Sequence, residues 1–170
     1  MRRASVLVGA LATVSLGYVC PSQSAHASNY GIELNGGYRV TANGDWAKTN
    51  DVFIDERTVI QTWTISSSCV SPIECAGEVE SDQGWTAPLR YSNSRWIIDR
   101  EVPNWEPCPD GTAATGSQTF LFWGVSQNGT GDAKNIDLLA GWDRTAGPSG
   151  ACGINKPLVI KTPIRVERVT

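Results

Sequence analysis

Beyond residue 27, apolar and polar positions do not recur at helical spacing. What recurs is short β-branched and aromatic runs separated by clusters of Gly, Pro, Asn and Ser. That punctuation predicts an antiparallel β protein. Residues 37–42 predict a first strand with Tyr38 and Val40 on one face, and Asn43-Gly44-Asp45 a turn. The clearest strand is 58–67, where Ile60, Thr62 and Thr64 alternate against Val59, Gln61, Trp63 and Ile65. Strands are also expected at 76–81, 85–91, 95–102, 119–126, 135–143 and 158–169. A helical turn is the alternative for Ile136-Asp137-Leu138-Leu139. The sum is all-β: a single antiparallel meander of about eight strands, expected to close into a barrel because closure removes exposed edges. A two-sheet β-sandwich is the rival.

Two stretches break the pattern. Residues 103–111 contain Pro103, Pro107 and Pro109 and are read as a loop, since proline cannot donate to a central ladder. Residues 147–153, Gly-Pro-Ser-Gly-Ala-Cys-Gly, read the same way.

Residues 1–27 follow another plan. Arg2 and Arg3 precede an apolar run over 4–19, shorter than the ~20 residues of a membrane span. A polar stretch then ends in Ala25-His26-Ala27, the layout of a secretory signal peptide with cleavage after Ala27. Lipoprotein anchoring at Cys20 is the alternative; Val19 stands against it, where a small residue is expected. Residues 28–170 are read as one disulfide-bonded β domain without a membrane span, and as a monomer.

Export changes the chemistry available. The one histidine, His26, leaves with the leader. Ser-His-Asp and Cys-His mechanisms and His-bearing metal sites are thereby excluded, so neither metal nor cofactor is expected. The leader also removes Arg2 and Arg3, so the exported chain is more acidic than the −3 of the whole. That argues against nucleic acid as a partner.

Of the five cysteines, Cys69, Cys75, Cys108 and Cys152 remain after export, an even number that reads as disulfides. Three connectivities are possible. Cys69 and Cys75 enclose a turn-like stretch between strand-like runs, so a Cys69–Cys75 bridge would pin a hairpin. Cys108 and Cys152 would then clamp the two irregular stretches together. The spacing lacks the C-x-x-C of a zinc site.

The ordered series Thr62-Trp63-Thr64-Ile65, Cys69, Cys75-Ala76-Gly77, Gly84-Trp85, Trp96, 104–112 and Gly150-Ala151-Cys152-Gly153 resembles the small secreted proteins of mycobacteria and related actinobacteria. Similar domains sit outside the cell on membrane proteins of those bacteria. The resemblance implies an exported β domain with paired cysteines and no particular activity.

Seven tryptophans are the positive signal, most of them on expected strands where packing accounts for them. Trp46 and Trp105 fall in expected loops. Trp105, Glu106 and Asp110, with Trp46, are the candidate ligand-facing residues. The leading expectation is a non-catalytic binding module at the cell envelope or exterior. It would hold an apolar small ligand inside the barrel, or contact a glycan or protein with its loop end. Two alternatives compete. One is a carboxylate-dependent hydrolase such as a glycosidase, drawing on Asp99, Glu101 and Glu106. The other is a structural or host-facing protein without a small ligand.

Overall fold

The computed structural model describes residues 29–169. The expected signal peptide, with Cys20, His26 and the cut after Ala27, lies outside them. The strands are β1 (Gly36–Ala42), β2 (Lys48–Thr49), β3 (Val52–Phe53), β4 (Val59–Ser71), β5 (Glu74–Ser81), β6 (Trp85–Ser92), β7 (Arg95–Pro107), β8 (Ala113–Gly124), β9 (Leu138–Ala146) and β10 (Val159–Arg168). From β4 to β10 each strand pairs antiparallel with the next. β1 pairs with both β4 and β10, which closes an eight-stranded barrel and rules out the sandwich. The small β2–β3 hairpin hangs from the start of β10.

Alternation decides which residues enter the barrel. On β4, Gln61, Trp63, Ile65 and Cys69 are buried while Ile60, Thr62 and Thr64 face out. β-branched side chains suit the outer wall, where each packs beside its cross-strand neighbours. Tyr38, Val40, Val79, Leu89, Ile98, Phe120, Phe122 and Val166 enter from the other strands and are almost wholly buried. Trp63 lies at the centre, edge-on to Phe120 with centroids 5.0 Å apart and 5.8 Å from both Phe122 and Trp85. Such aromatic contacts each add roughly 0.5–1.5 kcal/mol beyond the burial itself. The middle of the barrel is therefore filled.

The structure corrects several expectations. β7 runs through Pro103 and Pro107, where a loop was expected. Two features make this tolerable. β6 pairs with β7 only from Leu89↔Ile98 to Ser92↔Arg95, so beyond Ile98 one edge of β7 is free. Pro103 also falls in an irregularity between Val102 and Glu106, where Asn104 has φ 55° and the ladder to β8 is interrupted. β8 correspondingly starts at Ala113, earlier than expected. Residues 136–137 precede β9 and are not helical. The two-residue strands β2 and β3 had no signal long enough to read.

Turn chemistry follows sequence. Asn93 and Ser94, both at positive φ (51° and 59°), make the tight β6–β7 turn. Cys69 and Cys75 are direct cross-strand partners and form a disulfide. Cys108 and Cys152 form the second, tying the end of β7 to the short 3-10 turn Ala151–Gly153. Both pairings match the expected ones.

Candidate functional site

β6 and β7 splay apart beyond the Leu89↔Ile98 pair. This end of the barrel, where β8 and β10 start and β9 ends, holds a recess of about 640 Å³. Ligand pockets typically measure about 300–1,000 Å³. Its lining mixes aromatic and polar side chains, among them Trp85, Arg100, Trp105, Gln118 and Asp143.

Arg100 follows Trp96 and Ile98 on the inward parity of β7. Gln118 precedes Phe120 and Phe122 on the inward parity of β8, and Asp143 shares that of Leu139 and Gly141 on β9. These three strands are adjacent, so the three polar groups meet. Arg100 Nε donates to Gln118 Oε1 at 2.7 Å. Gln118 Nε2 donates to both carboxylate oxygens of Asp143, at 2.8 and 2.9 Å. An arginine donor on one side and a carboxylate on the other leave the Gln118 amide one sensible orientation. The Arg100 guanidinium carbon sits 4.5 Å from the Trp85 ring centroid. Trp85 in turn stacks on Phe120, with planes 12° apart. Trp85 thus contacts both Phe120 and the Arg100 guanidinium.

Burial draws Arg100 down from its ordinary value, against the opposing charge of Asp143. Desolvation pushes the Asp143 carboxyl up to about 6, against the Gln118 hydrogen bonds and the charge of Arg100. Arginine nonetheless stays charged at any physiological pH. Ser81 Oγ donates to Gln61 Oε1 at 2.8 Å, which satisfies a buried polar pair.

The candidate residues fare differently. Trp105 lines the recess, but from strand β7 and not from a loop. Gly116 makes room for it: a Cβ there would come within 2.8 Å of the Trp105 ring. Glu106 is buried next door, against Gly147, and its Oε2 has no hydrogen-bond partner. Asp110 points its carboxylate into its own turn, accepting from Thr112 N at 2.9 Å and Thr112 Oγ1 at 2.6 Å. Those bonds hold its carboxyl below the ordinary value, and Asp110 does not line the recess.

Trp46 lies apart. It is 62% exposed on the outer wall, edge-on to Phe53. With Trp142 they line a separate cleft of about 550 Å³. Lys48 caps Phe53 at 4.4 Å and Lys161 caps Trp142 at 4.1 Å. Of the four candidates Trp105 lines the recess, Glu106 is buried beside it without lining it, and Asp110 and Trp46 lie outside.

Of the carboxylates considered for hydrolysis, Asp99 and Glu101 face outward and Glu106 is buried. Asp99 pairs with Arg90 at 2.7 Å and accepts from Thr119, and Glu101 accepts from Ser117. The Asp143 carboxyl, raised to about 6 by desolvation, has both its oxygens bonded by Gln118.

No protein-family model matches the chain, and no curated protein matches it. Among solved structures it is similar to the monomer form of the M. tuberculosis PknI sensor domain, with a TM-score of 0.57 at 15% identity. The match covers 81% of this chain and 88% of that one. At that identity the likeness is one of fold.

Proposed function

We propose that this chain is an exported, non-catalytic recognition module that takes a small polar molecule or the end of a glycan into the open mouth of its barrel. The carrying observation is the inward-facing Arg100–Gln118–Asp143 chain, with Arg100 packed against Trp85. Charged side chains on the core parity of a barrel are costly, and a recess of ligand size gives them a use. The filled middle of the barrel disfavours the apolar ligand expected from sequence. Two disulfides fit an oxidising location, in keeping with the signal-peptide reading and cleavage after Ala27. A sensing role, carried over from the PknI domain of like fold, agrees with this reading.

Native mass spectrometry of the protein taken from its own culture medium tests the reading. A retained small-molecule adduct is expected, absent when Arg100 is changed to Ser. An adduct that survives Arg100→Ser overturns the placement. Turnover of a bound glycan that vanishes in Asp143→Asn overturns the non-catalytic part.

A further inference from the structure

Resting on that reading of the recess, we propose that its ligand is a small organic anion, recognised through a carboxylate held by the terminal fork of Arg100.

The geometry selects this chemistry. A guanidinium offers five N–H donors in a fixed plane. Gln118 takes the one on Nε. Trp85 packs against the group, with the guanidinium carbon 4.5 Å from the ring centroid. Nη1 and Nη2 make no protein hydrogen bond and no salt bridge among the described residues. That end is the edge that meets a carboxylate with two parallel bonds. Asp143 supplies the nearest negative charge, but the Gln118 amide stands between the two. The protein thus pre-orients its cation through a spacer and leaves the bidentate edge free. Trp105, Val102, Pro103 and Ile160 line the same recess and supply apolar surface for the carbon skeleton of a ligand.

Charge balance sets a pH response. Four charged residues line the recess: Arg100 and Asp143 within, and Glu56 and Arg57 from the segment before β4. With Asp143 ionised they sum to zero. With Asp143 protonated they sum to +1, which favours an anion. The Asp143 carboxyl titrates at about 6, so anion affinity rises as pH falls from 7 to 5. By linkage, a bound anion raises the Asp143 pKa in return.

The test is a set of NMR titrations of the folded, disulfide-bonded protein with matched probes: benzoate against benzamide, and glucuronate against glucose. The carboxylates are expected to shift the Trp85 and Trp105 indole signals and the Gln118 side-chain amide. The neutral partners should bind at least about tenfold more weakly, the loss typical of a charge-assisted contact. Arg100→Gln should abolish the carboxylate response with melting nearly unchanged, and Arg100→Lys should restore only part of it. Benzoate affinity should rise several-fold from pH 7 to 5 in the natural protein and stay flat in Asp143→Asn. If benzamide and glucose move the same signals as strongly, the anion assignment fails and the recess survives as the site. If no probe at roughly 10 mM, enough to detect a millimolar complex, moves those signals, the recess reading falls with it.

Discussion

The two ends of the barrel are made from the same strands yet have opposite chemistry. At one end the segment before β1 folds across the opening. Ile32 and Leu34 are buried there in the main core, and Ser67 Oγ bonds both the Leu34 N–H and the Leu34 carbonyl. The Cys69–Cys75 bridge and the tilted Tyr91–Trp96 pair complete an apolar stopper. At the other end the same inward parity carries Arg100, Gln118 and Asp143, and β6 and β7 part. The first end maximises burial. The second gives up burial to present charge, as binding surfaces on rigid frames commonly do.

Breaking each end should therefore cost different things. The largest effect is expected from Cys108→Ser with Cys152→Ser at the open end. That bridge closes a long loop and is worth about 4 kcal/mol in the chain-entropy picture. Denaturant unfolding should report a loss of that order, together with weaker probe binding, because Trp105 and Glu106 sit beside the bridge. At the closed end, Leu34→Ala removes a side chain with 0% exposure and should cost roughly 2–5 kcal/mol. Its probe affinity should be unchanged. Equal loss of binding in Leu34→Ala would show that the ends are coupled.

A smaller effect follows from Asp143. Its carboxyl rises from 3.8 to about 6 on folding, so the folded chain holds this proton more tightly than the unfolded one. Its stabilising contribution is complete below the unfolded value and is lost as pH rises through about 6. The loss is roughly 3 kcal/mol. Melting of the natural protein should fall as pH rises from about 4 to 6 relative to Asp143→Asn, with little further change above; parallel curves would contradict the desolvated carboxylate. The smallest stability effect is expected from Trp105→Ala, since Trp105 is only partly buried. It should instead weaken probe binding by roughly 1–3 kcal/mol, as aromatic anchors do. A large melting loss with intact binding would make the ring a structural anchor.

The closed end was largely legible in the sequence. Tyr38, Val40, Trp63 and Ile65 announce their strands by alternation, and the short spacer between Cys69 and Cys75 announces their hairpin. The open end was less so. The proline-rich stretch and Asp110 stand out in the sequence there, but the Asp110 carboxylate is used up by its own turn. Proline argues against a strand, but an edge left free by β6 and an interrupted ladder accommodate it. The missed signal was parity: Arg100 shares a face with Trp96 and Ile98, Gln118 with Phe120 and Phe122, Asp143 with Leu139 and Gly141. Three polar residues on core-facing parity, all brought towards the same end of the barrel by antiparallel pairing, mark a polar barrel mouth. Which strands would be neighbours was needed to see that they meet, and the meander order supplies it. Trp46 ends the short 3-10 turn Gly44–Trp46, and nothing in the sequence says that the outer wall would hold it apart from Trp105.

The most direct measurement is the thermal stability of the triple variant Arg100→Met, Gln118→Leu, Asp143→Leu, alongside its response to benzoate. Apolar replacement of an enclosed ionic chain is often neutral or stabilising by about 1–4 kcal/mol. If the chain exists for ligand recognition, the variant should melt at or above the natural protein and no longer respond to benzoate. A variant that melts far lower while the natural protein shows no benzoate response would contradict this, and would make the polar mouth a structural frame.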